Sequence, residues 1–108
     1  MVYQVSAILN LDKKDVSRVE VYYCTKEFGG ERTVFETLTD SKSLDLLIEL
    51  AQKDFLEDPT KFLGEKFCGI YFYNKAREIV ADQEITSDSS YYDDFVKEVP
   101  KIKEYLKN

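Results

Sequence analysis

The segment Phe67-Cys68-Gly69-Ile70-Tyr71-Phe72-Tyr73 constrains the fold most, because it is apolar on both faces of any strand it could form. A strand with one solvated face alternates apolar and polar residues, whereas a strand buried on both faces is apolar throughout. We therefore expect residues 67–73 to form a strand that is central in its sheet or covered on both sides. The polar residues 74–77 then form a loop.

Two strands are predicted near the start of the chain. In the first, Tyr3 to Leu11, alternate residues place Tyr3, Val5, Ala7, Leu9 and Leu11 on one face. This alternation is typical of a half-buried strand. The polar run Asp12 to Asp15 turns the chain, and the alternating segment Arg18 to Tyr23 predicts a second, antiparallel strand.

A third strand, Arg32 to Leu38, follows the glycine pair Gly29-Gly30, which is typical of a two-residue hairpin turn. A register centred on these glycines places Glu27 opposite Arg32 and Cys24 opposite Phe35. The predicted faces then separate two sets of side chains. One face holds Val21, Val34 and Leu38, and the other holds Tyr22, Cys24 and Phe35.

The next segment predicts a helix that begins at Asp40 or Ser41, either of which can cap it. Its apolar residues recur at helical spacing, and the helix ends before Pro59. A further short turn is expected from Asp58 to Gly64. The apolar stripe consists of Leu44, Leu47, Ile48, Ala51 and Phe55.

Residues 78–85 predict a fifth strand, in a hairpin with residues 67–73. A final amphipathic helix carries Tyr92, Phe95, Val99, Ile102 and Leu106, and Pro100 must bend or restart it. The predicted order is therefore βββαββα. We expect an α+β two-layer sandwich, in which two helices cover one face of an antiparallel five-stranded sheet.

The length of 108 residues and the 44% of hydrophobic residues predict a single globular domain, residues 1–108. Residues 1–4 lack the pattern of a secretory signal, and no apolar run is long enough to cross a membrane, so we expect a cytoplasmic protein. Cys24 and Cys68 lie inside predicted strands, which favours buried free thiols. A single bridge between them stays open as the alternative.

The net charge of −6 is concentrated in one segment of the chain. Residues 78–98 carry seven carboxylates and one lysine, while the remainder of the chain carries fourteen acids and fourteen bases. Such a field attracts basic protein surfaces and repels nucleic acid and acidic lipid. The sequence therefore indicates a basic protein partner, with no direct binding of nucleic acid or membrane.

The acidic segment also carries two adjacent tyrosines, which are frequent anchors in protein interfaces. Carboxylates at intervals can imitate the phosphates of a nucleic acid, so the segment predicts a non-enzymatic inhibitor that occupies a basic nucleic-acid-binding site. An immunity protein, an antitoxin or an anti-CRISPR-like anti-defence protein fits this size and charge. The predicted partner-binding residues are Asp82, Glu84, Asp88, Tyr91, Tyr92, Asp93 and Asp94.

The chain contains no histidine, and this argues against several kinds of chemistry. General acid–base and nucleophilic catalysis near neutral pH commonly depend on histidine. Two cysteines without histidine also fall short of a usual zinc site. We therefore expect no catalytic residues, no cofactor and no specific metal.

Two alternatives to an inhibitor stay open. The first is a structural or assembly module that forms a homodimer through the aromatic sheet face of Tyr22, Cys24 and Phe35. The second is a weak calcium-binding module, because Asp82 to Asp93 places oxygen side chains at many positions of a calcium loop. The calcium template fits incompletely, since Ser87 stands where the loop requires glycine.

Overall fold

The computed structural model describes residues 7–25, 30–58 and 66–106. The described chain forms a four-stranded antiparallel sheet with helices, which confirms the α+β prediction. The predicted five strands and the predicted order βββαββα are wrong, because the described strands and α-helices follow the order ββαββαα. None of the described helices is long and apolar enough to cross a membrane. The strands are β1 (Arg18–Cys24), β2 (Arg32–Leu38), β3 (Phe67–Tyr73) and β4 (Ile79–Ile85). The helices are α1 (Ser41–Glu57), α2 (Tyr92–Glu98) and α3 (Lys101–Leu106).

The apolar segment 67–73 is an interior strand, as its sequence predicts. The strand order is β2-β1-β3-β4, so β3 pairs with β1 on one side and with β4 on the other. Its residues alternate between two buried faces: Cys68, Ile70 and Phe72 belong to one core, and Phe67 belongs to another.

The predicted first strand is not a strand in its described part. Residues 7–10 form a turn, and a short 3-10 helix, Lys13–Asp15, follows. The backbone carbonyl groups of this segment accept hydrogen bonds from α1. The side chain of Gln52 donates to the carbonyl oxygens of Ile8 and Leu11, each at 3.1 Å. Those carbonyls are therefore bound to a helix and not to a strand. Residues 1–6 of the predicted strand lie outside the described residues.

The register between β1 and β2 differs from the prediction, because the pairing shifts between Val21 and Tyr22. Cys24 lies opposite Arg32 instead of Phe35, and Tyr22 lies opposite Val34. Directly opposed residues of an antiparallel pair share a face, so Val34 joins Tyr22. Most of the predicted glycine turn, residues 26–29, lies outside the described residues.

Helix α1 begins as predicted, with the Asp40 carboxylate accepting a hydrogen bond of 2.8 Å from the amide of Ser43. The predicted turn at residues 58–64 lies outside the described residues beyond Asp58. The final helix is divided at Val99 and Pro100 into α2 and α3, as the proline requires.

The main core lies between the helices and one face of the sheet. It combines strand residues such as Val19 and Ile70 with helix residues such as Leu47, Phe95 and Ile102, all of which are fully buried. The described helices therefore cover one face, as the sandwich prediction expects.

The opposite sheet face holds a smaller second core, formed by Tyr22, Cys24 and Phe67 with Tyr71 packed against it. Cys24 belongs to this core and Cys68 to the main core, so the two thiols point to opposite faces. Neither cysteine forms a disulfide. Burial raises the pKa of the Cys68 thiol to about 12, which keeps it protonated and unreactive.

Tyr22 lies directly over Gly69, and this close approach requires glycine. A Cβ atom at position 69 would lie 2.2 Å from both Cζ and the hydroxyl oxygen of Tyr22. The ring has little freedom to move aside, because it is fully buried and stacks on Tyr71 with the ring centroids 4.5 Å apart. Gly69 therefore lets the tyrosine of β1 reach across β3 towards β4.

We expect Gly69→Ala to lower the free energy of unfolding by about 2 kcal/mol or more, as overpacking of a core does. Urea denaturation measures this loss. Tyr22→Leu should cost less in the Gly69→Ala background than in the wild type, because the clash is then relieved. Additive losses in the double variant would contradict the proposed contact.

Candidate protein-binding surface

Helices α1 and α2 run antiparallel, and their side-chain contacts fix which ends meet. The hydroxyl of Ser43, in the first turn of α1, donates to Glu98 at the end of α2 over 3.0 Å. At the other end, the hydroxyl of Ser90 donates to Glu57 in the last turn of α1. The C-terminus of α1 therefore lies beside the loop that leads into α2.

This meeting point concentrates exposed carboxylates from two separate parts of the sequence. We call it the acidic end: Glu57, Asp58, Asp88, Asp93 and Asp94, all of which are exposed.

Asp93 and Asp94 lie in the first turn of α2, where the positive end of the helix dipole favours negative charge. Phe95 follows them and is fully buried, so it anchors this turn to the main core.

The acidic end is not neutralised by basic side chains of the described chain. The ion pairs among the described residues join Lys14 to Asp12, Arg18 to Glu20, Arg32 to Asp82 and Lys53 to Glu49. None of these pairs includes a residue of the acidic end. The carboxylates of the acidic end are therefore exposed and form no ion pair within the described part of the chain.

Apolar surface adjoins these carboxylates. Tyr91 and Tyr92 are half-buried and pack against the main core, and burial raises the pKa of Tyr92. Leu56 precedes Glu57 in the sequence and is 67% exposed, more than any other large hydrophobic side chain of the described residues. Charge and exposed apolar surface thus lie close together, as in many protein interfaces.

Asp82 and Glu84 lie on the other side of the sheet, so the structure divides the predicted acidic surface. Gln83, between them, points into the helix layer, where its side chain donates to Asp54 over 2.7 Å. Because side chains alternate along a strand, Asp82 and Glu84 face away from the helices. Asp82 and Glu84 are thereby separated from the other predicted residues, which lie on the loop and the first turn of α2: Asp88, Tyr91, Tyr92, Asp93 and Asp94.

Asp82 is half-buried in a cluster of four side chains, one from each strand, which we call the clasp: Tyr22, Arg32, Tyr71 and Asp82. Tyr22 of β1 donates to one carboxylate oxygen over 2.8 Å, and Arg32 of β2 donates to the other over 3.2 Å. The same Arg32 nitrogen, Nη1, also donates to the hydroxyl of Tyr71 on β3 over 2.8 Å. The clasp therefore connects all four described strands.

Burial is the strongest influence on the titration of the clasp. It raises the pKa of Asp82 above its ordinary value, although the hydrogen bond from Tyr22 and the charge of Arg32 act in the opposite direction. Burial also raises the pKa of Tyr22, so its hydroxyl stays protonated and keeps donating. Tyr22 and Arg32 thus compensate the charge of Asp82 only in part.

The second predicted interface does not assemble as one exposed patch. Tyr22 and Cys24 are at most 1% exposed within this chain. Phe35 lies on the helix side, where its ring stacks on Tyr105 of α3 with the centroids 4.5 Å apart. A homodimer through these three side chains would require the buried ones to become accessible.

The predicted calcium loop is also divided by the fold. Its first ligand, Asp82, is bonded to Arg32 and Tyr22, and its last, Asp93, lies at the start of α2. In residues 7–25, 30–58 and 66–106, no group of three potential metal-ligating side chains is found.

An open cleft of about 640 Å³ lies between the 3-10 helix and the β3–β4 turn. Its charged lining consists of Asp12, Lys14, Asp15 and Lys75. Equal numbers of acids and bases give this cleft no preference for one sign of ligand.

The sequence prediction missed the contribution of α1 to the acidic end. Glu57 and Asp58 are brought there by tertiary packing, for which the local pattern carries no signal. The position of Asp54 does carry a sequence signal, because it falls on the buried stripe of α1 at the spacing of Leu47 and Ala51. A carboxylate at such a position indicates a buried polar network.

Comparisons with protein-family models, curated proteins and solved structures find no match.

We compare the free energy of unfolding of the wild type with that of Asp82→Asn. We expect the wild type to lose stability relative to the variant as the pH rises above about 4, the ordinary pKa of aspartate. A raised native pKa means that the folded protein binds this proton more tightly than the unfolded chain does. The stabilisation that the protonated Asp82 carboxyl gives the folded state is therefore complete at low pH. It is lost as this carboxyl ionises in the folded protein. Urea denaturation of both proteins between about pH 4 and pH 7 measures the difference.

Asp93→Asn serves as the matched control, because it removes one exposed acid with the same change of side chain. The contrary result is a wild type that gains stability relative to Asp82→Asn as the pH rises. It would mean that the stabilisation of the ionised carboxylate by Arg32 and Tyr22 outweighs the cost of burying it.

Proposed function

We propose that this chain is a small non-enzymatic binding protein that inhibits its target by docking the acidic end on a basic surface. The observation that supports this most is the group of exposed carboxylates at one end of the fold, without an ion pair in the described part of the chain. Their repulsion is reduced when a cationic partner binds.

In this proposal, different residues supply charge and apolar contact. Asp58, Asp88, Asp93 and Asp94 attract the partner over a distance and accelerate association. The exposed parts of Tyr91, Tyr92 and Leu56 provide contact area after docking. Asp82 and Glu84 are left out of the docking surface, because they lie on the opposite face of the sheet.

The target class that fits best is an enzyme or factor with a basic nucleic-acid-binding site. Such a site is built to attract phosphates, so a row of carboxylates competes for the same lysines and arginines. Immunity proteins, antitoxins and anti-CRISPR-like anti-defence proteins act on targets of this kind. The absence of histidine from the whole sequence favours binding over acid–base catalysis.

The proposal predicts a partner whose retention depends on salt and on the acidic end. The wild type, immobilised, should retain a basic protein from the source cells at about 0.05 M NaCl and release it by about 0.5 M, because salt screens exposed charges. A variant with Asp58, Asp88, Asp93 and Asp94 changed to Asn should retain about tenfold less of that protein.

A control variant with the same change of net charge separates location from total charge. It carries Asp15→Asn, Asp45→Asn, Glu49→Gln and Glu78→Gln, and should retain the partner as the wild type does. Equal loss in both variants, or retention that survives high salt and both sets of changes, would refute the proposed docking surface.

A further inference from the structure

Residues 86–90, between β4 and Tyr91, have almost no apolar attachment to the fold. None of residues 86–90 is buried, whereas Ile85 before them and Phe95 after them are fully buried. Core packing therefore holds the two ends of this segment, at Ile85 and Tyr91, and polar contacts set the conformation between them.

Two consecutive serines supply those contacts, and both bind carboxylates of α1. The hydroxyl of Ser89 donates to Asp54 over 2.5 Å, and that of Ser90 donates to Glu57. Asp54 and Glu57 are three residues apart, so they lie on neighbouring positions of one helix face. The loop is thus attached at two points to the end of α1.

The attachment at Ser89 is the stronger of the two. Asp54 is only 2% exposed, and its second oxygen accepts from Gln83 over 2.7 Å, which orients the carboxylate. Ser89 also accepts a hydrogen bond of 3.0 Å from the amide of Tyr91, so one hydroxyl joins α1 to the residue before α2. A buried hydrogen bond to a charged acceptor is worth more than an exposed one.

We propose that Asp54 and Ser89 are positioning residues of the acidic end. They hold the loop and the start of α2 so that Asp88, Asp93 and Asp94 are presented together, although neither residue needs to touch a partner. This inference rests on the proposed function, because it explains how that docking surface keeps its shape. Breaking the Ser89 contact should open the loop locally, while the sheet stays folded.

Amide hydrogen exchange of the intact protein, measured by NMR, tests the local opening. In Ser89→Ala the backbone amides of Ser89, Tyr92 and Phe95, which donate to the carbonyls of Thr86, Ser89 and Tyr91, should exchange about tenfold faster or more. The β3 amides should keep their rates. Ser87→Ala is the matched control with no expected change, because Ser87 is exposed in the same loop, and Ser89→Thr should restore protection by restoring the hydroxyl.

Binding of octalysine at low salt tests the positioning itself. Ser89→Ala leaves the net charge unchanged, so charge alone predicts no effect, whereas positioning predicts several-fold weaker binding than in the wild type or in Ser87→Ala. Ser89→Thr should restore the affinity.

Unchanged exchange in Ser89→Ala, or equal acceleration of loop and β3 amides, would overturn the inference. Local opening with unchanged octalysine affinity would also overturn it. If octalysine fails to bind the wild type at all, the proposed docking surface fails, whereas the exchange result still decides whether Ser89 and Asp54 hold the loop.

Discussion

The hydrogen bond between Tyr22 and Asp82, which crosses Gly69, determines which carboxylates of the acidic segment are paired and which are exposed. Glycine at position 69 leaves room for the tyrosine ring to cross the central strand, and Arg32 then completes the clasp from the edge strand β2. One buried aromatic ring thereby brings a carboxylate and a guanidinium together on the sheet face away from the helices. The sheet packs apolar side chains on the helix side, and on the other side it carries the polar and aromatic side chains of the clasp.

This arrangement assigns the acids of one short segment to two different roles. Asp82, on β4, bonds to Tyr22 of β1 and Arg32 of β2, and Arg32 in turn bonds to Tyr71 of β3. Asp88, Asp93 and Asp94 follow the strand and lie on the loop and the first turn of α2, near the end of α1 with Glu57 and Asp58. Asp82 is therefore half-buried and paired with Arg32, whereas the acids of the acidic end are exposed and form no ion pair among the described residues. Only the exposed acids suit a cationic partner.

Local sequence signals predicted the elements that local physics controls. The apolar run at residues 67–73 indicated an interior strand, Asp40 indicated the start of α1, and Pro100 indicated the division of the last helix. Each of these depends on residues close together in the chain.

The errors arose where distant residues decide the outcome. Residues 7–11 alternate like a strand, but Gln52 of α1 binds two of their carbonyls. The shift in pairing at Val21 and Tyr22 moved Phe35 to the helix side, which a register counted from a glycine turn does not anticipate. Asp82 looked free because Arg32 and Tyr22 are fifty and sixty residues away along the chain.

Chemical labelling measures directly which carboxylates are shielded and which are exposed. The intact protein is labelled with a carbodiimide and an amine, and the modified residues are located by mass spectrometry. The account predicts rapid modification of Asp58, Asp88, Asp93 and Asp94, and slow modification of Asp82 and of buried Asp54. Modification of Asp82 as fast as that of Asp93 would contradict it, because the clasp would then not be shielding that carboxylate from the reagent.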